Sequence, residues 1–454
     1  MSEAESPQSV QTGGDAVPFP PKKQAYFSLF VMTIVVMFTV LDRQVLSLMI
    51  DPIKDDFKIT DTQAALLIGA AFSITYGIAG MPIARLADRT NRRNLVAACI
   101  AFWSACTMLS GVAQSYMGMV LARIGVGVGE SGYGPASWSI ITDTFPREKV
   151  AFATGVMGLG AMTGTGLALF AGGVVLSLVS QFEPVSIGIF GVIRPWQWAF
   201  IIVGFPGLLW TLVVMMTKEP ARRGLVAGTR PKPVPLREVG RWLMDSWRTY
   251  LAVIGGGCLR ILLGAGVATW GPTFLHREFG WSLAKAGITT GIITLVVSPI
   301  GMILGGKLSE HWTRKGIHDA NLRIVLISMV LSAPILAISP LLHDPWLIQG
   351  LTAVALFFGA LCFGPGIASF QVVTPNTMRA QISSLYQFSS NVIAFALSPL
   401  IVAVMTDYVF GDPSKLKYSM SLNAVITGVL VVLVTWQGLK PYARSYERAV
   451  RENL

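Results

Sequence analysis

The chain has 454 residues, of which 53% are hydrophobic and only 13% charged, with 46 Gly and 25 Pro. Soluble proteins carry about 25% charged residues, so this deficit points to a membrane protein and away from a soluble enzyme. The net charge of +11 does not indicate nucleic acid, because the basic residues alternate between loops rather than cluster on one face.

Residues 1–25 are polar, contain Pro and Gly, lack a charged-then-apolar signal sequence and read as a disordered tail. Crossing ~30 Å of hydrocarbon takes about 20 apolar residues. Twelve such spans follow, at 26–50, 64–87, 95–113, 117–144, 149–180, 197–217, 249–275, 284–310, 323–342, 346–374, 378–406 and 418–439. The fifth and eleventh are interrupted by Gly and Ser and are expected to be broken or tilted. Cys99, Cys106, Cys258 and Cys362 all fall in apolar runs without paired spacing, as small packing residues do.

Lys and Arg set the orientation. With a cytoplasmic N-terminus, the inside segments carry 24 of the 35 and the outside segments 7, the remainder lying within spans. Both termini are therefore expected in the cytoplasm. The Pro-rich, basic segment 218–248 divides two sets of six spans, 26–217 and 249–440, with a short cytoplasmic tail at 441–454. The halves echo each other. Ala84-Arg-Leu-Ala-Asp-Arg-Thr-Asn-Arg-Arg93 after span 2 returns as Gly306-Lys-Leu-Ser-Glu-His-Trp-Thr-Arg-Lys315 after span 8, and Gly134-Pro135 in span 4 returns as Gly364-Pro365 in span 10. Parallel halves of this kind build a site at their interface near the membrane midplane. The expected fold class is an all-α membrane protein of twelve helices in two pseudo-symmetric bundles.

Charges inside the spans carry the functional signal. Asp42 and Arg43 interrupt span 1, and Arg123 and Glu130 interrupt span 4. Each costs roughly 2.5–3.5 kcal/mol at the bilayer centre even on lenient scales, so all four are expected to face the bundle interior. Arg123 and Glu130 are two helical turns apart on one face, separated by ~10 Å. Spans 1 and 4 run antiparallel and hold these groups at compatible depths, which predicts Asp42 against Arg123 and Arg43 reaching Glu130. The bland reading is a static ion network that fixes helix packing. The functional reading is proton coupling at Asp42 or Glu130, since protonating either carboxylate releases its arginine to bind an anion or to let the halves rock. Arg260, a lone cation in span 7, reads equally as a receiver for phosphate or carboxylate and as a snorkelling arginine. Tyr133, Trp138 and Trp270 are candidate cavity walls, and Asn391 a polar contact in the same cavity. Asp88, Arg89, Arg92 and Arg93, with Glu310 in the repeat, are candidates for a cytoplasmic gate, beside their ordinary role as positive-inside anchors.

Several patterns exclude other chemistry. Gly127-Val-Gly-Glu-Ser-Gly132 matches a dinucleotide fingerprint, but no strand precedes it and helix packing explains its glycines. Gly301-Met-Ile-Leu-Gly-Gly-Lys307-Leu308 approaches a phosphate loop but has Leu308 where a magnesium-binding hydroxyl belongs. The histidines are scattered and no nucleophile motif is visible, so no metal, cofactor or enzymatic activity is expected.

The loop after span 2 resembles the Gly-x-x-x-Asp-Arg-x-Gly-Arg-Arg signature of the major facilitator superfamily, departing from it at Ala84 and Asn91. Val40-Leu-Asp-Arg43, Arg123-x-x-x-Gly-x-Gly-Glu130-x-x-Tyr133 and Trp196-Gln-Trp-Ala-Phe200 are similar to the Spinster branch, and the short loops to a bacterial, inner-membrane member. The resemblance implies movement of lysophospholipids or sphingosine-1-phosphate, proton coupling in some members, Asp42, Arg43, Arg123 and Glu130 as coupling and substrate residues, and Asp88 with its arginines as the gate. The expectation is a monomeric, proton-coupled transporter of an amphiphilic anion working by alternating access. Its rivals are a multidrug exporter, a small organic-acid transporter, a receptor and a lipid-modifying enzyme.

Overall fold

A helix in hydrocarbon satisfies every backbone group within its own segment, and long helices dominate this chain accordingly. The computed structural model describes residues 18–188, 191–222, 234–375 and 377–452. Most of the tail read at 1–25 lies outside them, and the first helix begins at Lys22, earlier than the sequence suggested. Eleven described helices are long and apolar enough to cross a membrane. Several start on a side chain that accepts from an early backbone N–H: Thr60, Asn91, Ser115, Ser282 and Asp344. A two-stranded hairpin, Val185–Ser186 with Val192–Ile193, joins spans 5 and 6.

The remaining span, the fourth, is two helices, Tyr116–Ser131 and Tyr133–Thr144, separated at Gly132. Span 10 breaks equivalently into Pro345–Leu361 and Phe363–Val372 at Cys362. Proline is the cause. Pro135 and Pro365 each lack the N–H owed to the carbonyl four residues earlier, Ser131 and Leu361. Spans 5 and 11, expected to be broken or tilted, differ in continuity. Span 5 is one helix, Arg147–Val179, whose glycines serve packing instead. Span 11 is interrupted by π-helical turns at Val392–Leu397 and Met405–Phe410.

The carbonyls released by proline are met by glycines on neighbouring helices. Pro399 frees the Phe395 carbonyl, and a Cβ added at Gly69 would sit 1.9 Å from that oxygen. Pro365 frees the Leu361 carbonyl, which lies 1.8 Å from a Cβ added at Gly305. Only glycine permits these approaches, where a Cα–H faces the carbonyl.

Helix pairing follows one pattern twice. Spans 1 and 5, 2 and 4, and 3 and 6 pack together; so do spans 7 and 11, 8 and 10, and 9 and 12. The two bundles then meet along span 2 against span 11 and span 5 against span 8. In the second seam Gly291 presses on the backbone at Phe170. Polar bonds cross between the bundles at the end of the molecule carrying residues 51–62. Arg277 donates to Asp51 at 2.6 Å and to Asp61 at 2.8 Å, Lys54 also pairs with Asp61, and the Thr62 hydroxyl donates to Asp407 at 2.6 Å. Large apolar side chains such as Ile78, Met81 and Trp436 remain exposed around the rim, as they do on a protein solvated by lipid.

Candidate functional site

Span 1 is continuous from Lys22 to Leu48, so the consecutive residues Asp42 and Arg43 leave it about 100° apart. Span 4 turns Arg123 and Glu130 toward it, and glycines make room. A Cβ at Gly127 would strike Thr75 of span 2 at 2.3 Å, and one at Gly129 would strike Trp103 of span 3 at 2.8 Å. The Gly-x-Gly pattern is therefore a helix-packing device.

The four ionic groups are arranged unequally. Arg43 donates from Nε and Nη2 to the same Glu130 oxygen, at 3.0 and 2.6 Å, as the spacing predicted. Its guanidinium also lies 4.5 Å from the Phe72 ring, 5.5 Å from Tyr76 and 5.1 Å from Phe395. Asp42 and Arg123 behave differently. Both are buried, and Asp42 neighbours Arg123 and Thr107, yet the expected ion pair does not close. Arg123 lies over Phe72 at 5.7 Å, and none of its three side-chain nitrogens has a partner among the described residues. The second Glu130 oxygen is equally unpartnered. An unpaired buried guanidinium costs several kcal/mol. A proton, water or anion entering this centre therefore has free hydrogen-bonding groups to satisfy.

A cavity of about 480 Å³ opens beside this centre, walled mainly by the second bundle. Arg260 reaches it next to Tyr386 and Cys362, with its Nε unpartnered among the described residues. Asn391 lines it as expected, and hydroxyls from Thr290, Thr294 and Ser332 add polar points to apolar walls. Phe395 belongs both to this wall and to the ring around Arg43.

Two expected wall residues lie elsewhere. Tyr133 is core: its hydroxyl donates to the Met32 carbonyl at 2.9 Å and its ring meets Trp103 edge-on. Trp270 is fully buried, donating to the Pro399 carbonyl at 3.1 Å. Buried Tyr and Trp need such partners, which is why they sit where carbonyls are free. Trp138 is 41% exposed on the second half of span 4.

The gate candidates also separate. Arg92 is buried, donating from Nε to Glu219 at 2.7 Å and from Nη1 to Ser139 at 2.8 Å, and pairing with Asp143. Arg93 donates to the Thr217 carbonyl at 3.2 Å. These bonds tie span 3 to spans 4 and 6 within the first bundle. Arg89 is exposed, Glu310 pairs with Arg314 one turn away, and the Asp88 side chain lies outside the described residues.

The Major Facilitator Superfamily model matches residues 32–399. The chain belongs to that superfamily. Superfamily members carry solutes across membranes, so this is an integral membrane transporter rather than an enzyme. Its relatives include an MFS-type efflux pump of Mycolicibacterium smegmatis, 25% identical over 93% of this chain and 94% of that protein. They also include Protein spinster homolog 1 of Xenopus tropicalis, 27% identical over 81% and 70%, and a D-galactonate transporter of Escherichia coli, 23% identical over 91% and 96%. Among solved structures, a bacterial homolog of the human lysosomal transporter Spinster in an inward-facing, unoccupied conformation matches the fold with a TM-score of 0.74, at 23% identity over 95% of this chain and 99% of that one. The Spinster-like motifs of spans 1 and 4 thus fall within a Spinster-like fold.

Proposed function

We propose that this superfamily member couples proton movement to the transport of an amphiphilic anion, by alternating rocking of units 26–217 and 249–440 about the cavity. The observation that carries the reading is the lipid-shielded centre holding one closed ion pair, Arg43–Glu130, beside the open pair Asp42 and Arg123. Proton uptake at Glu130 releases Arg43, proton uptake at Asp42 removes the negative charge that neighbours Arg123, and a change of pairing across spans 1 and 4 is a bistable element. Asp42 has no ion partner to displace, so it is the carboxylate free to exchange a proton first. Glu130 follows when Arg43 is drawn away.

The substrate reading rests on the cavity. Apolar walls suit a hydrocarbon tail, and Arg260 suits a phosphate or carboxylate head. Sphingosine-1-phosphate transporters of Danio rerio and Xenopus tropicalis are among the relatives, which favours a lipid phosphate. A sugar acid is the second reading, favoured by the hydroxyls of Thr290, Thr294 and Ser332 and by the D-galactonate transporter among the relatives. The excess of basic residues on the inside segments supports cytoplasmic termini, with the bonded end at Asp51–Thr62 outside; a bacterial inner membrane and a monomeric working unit belong to the same proposal.

Reconstitution in liposomes tests this directly. Under an imposed inward proton gradient, a labelled lysolipid or sugar acid is expected to move faster than without it, and addition of substrate is expected to move protons. Equal flux with and without the gradient for every anion tried sinks proton coupling. Preferential movement of cationic drugs sinks the anion.

A further inference from the structure

The helix Leu236–Asp245, just before span 7, has a polar and an apolar side that the transport cycle does not use. The chain turns at Ser246 (φ −117°, ψ 31°), so this helix departs from the axis of the span that follows. One face is docked. Val239 is buried, Trp242 and Leu243 are half-buried, and Trp242 donates to the Tyr250 hydroxyl at 2.8 Å. At 100° per residue the neighbouring face carries Leu236, Gly240 and Met244. It is bare: Leu236 is 81% exposed, Met244 74%, and nothing lies within 4 Å of a Cβ added at Gly240. Trp247, the first residue beyond the turn, is 54% exposed.

Charge decides what covers this stripe. Arg237 and Arg241 lie beside Met244 on the wheel, whereas Glu238 and Asp245 project roughly 140–160° away from its centre. Arg248 follows Trp247, its guanidinium 5.3 Å from the indole. An exposed apolar stripe flanked by arginines, with acids turned away, at the mouth of a membrane span, fits the boundary between headgroups and acyl chains.

We propose that Leu236–Asp245 is an interfacial helix that lies on the membrane surface and binds anionic phospholipid through Arg237, Arg241 and Arg248. Leu236, Met244 and Trp247 enter the acyl boundary while Val239 and Trp242 stay on the protein. The docked face links this surface to the end of the second bundle. Tyr250, which holds Trp242, bonds Thr374 at 2.9 Å, and Gln381 at the start of span 11 donates to the Val234 carbonyl at 2.9 Å. Lipid charge thereby acts on the ends of spans 10 and 11, whichever substrate moves and whichever side the termini occupy.

The test uses the full-length protein with Met244→Cys carrying an environment-sensitive fluorophore; the four native cysteines are buried. It is placed in vesicles of phosphatidylcholine alone or mixed with phosphatidylglycerol. In the mixed vesicles, headgroup-level nitroxide lipids are expected to quench the label and aqueous iodide to reach it poorly. Arg237→Gln, Arg241→Gln and Arg248→Gln should each reduce the preference for phosphatidylglycerol about fivefold, and added salt should reduce it further. A label open to iodide in both membranes and untouched by nitroxide lipid overturns the proposal and leaves the stripe to a protein partner. A triple variant with the native lipid preference overturns the role of the arginines.

Discussion

The two bundles handle charge in opposite ways. The first buries four ionic groups near one another, of which only Arg43 and Glu130 are bonded, with Phe72 and Tyr76 against the arginines. The second sets Arg260 against a cavity. A cluster with equal numbers of acids and bases, one pair closed and one open, suits a switch, because its members can trade partners without importing charge. A cation beside open volume with no acid paired to it suits recognition, because an anionic partner for it must come from outside. Phe395 touches both regions, facing Arg43 on one side and the cavity on the other.

That division of labour can be broken by substitution, beginning with the largest effect. Glu130→Gln should abolish proton-driven flux in liposomes, since Arg43 then faces a neutral amide that cannot titrate; flux that still follows the gradient removes Glu130 from coupling. Asp42→Asn should leave downhill exchange of substrate intact but flatten its dependence on pH, because the centre is held as though protonated. A pH profile matching the native one would assign coupling elsewhere. Arg260→Ala should weaken binding of an anionic substrate about 10- to 150-fold, the value of a charge-assisted hydrogen bond of about 1.5–3 kcal/mol, with the pH profile unchanged. If the pH profile moves with affinity, the two regions are not separate. Phe395→Ala should have the mildest effect, a few-fold loss of gradient-driven stimulation with substrate affinity near native, in line with a cation–π contact of about 0.5–2 kcal/mol. Titration calorimetry and flux measured on the same preparation distinguish these outcomes.

Much of the centre was legible because burial of charge in hydrocarbon is so unfavourable that position alone marks it. Arg43 and Glu130 meet as helix spacing and antiparallel direction required. Asp42 and Arg123 do not, although the same rules applied, because Arg123 lies over Phe72 and that ring belongs to a third helix. The cavity walls were harder. Tyr133 and Trp270 found carbonyl partners in the core, whereas Phe395 gave no local signal of its position. Its importance depends on Pro399 four residues later and on Gly69, more than three hundred residues earlier in the chain. The bonds of Arg277 to Asp51 and Asp61 join segments more than two hundred residues apart, and no spacing rule reaches that far.

Composition, apolar run length and repeated motifs were enough to set the class, the span count and the two-fold repeat, because the bilayer leaves a chain few ways to satisfy its backbone. The repeated Gly-Pro pairs even encoded the matching breaks at Gly132 and Cys362, since proline acts on a carbonyl only four residues away. Tertiary structure alone decided which arginine is paired, which stands free, and where the cavity opens. Those outcomes turn on distances of an ångström or two between helices, set by glycines meeting partners that the linear order keeps far apart.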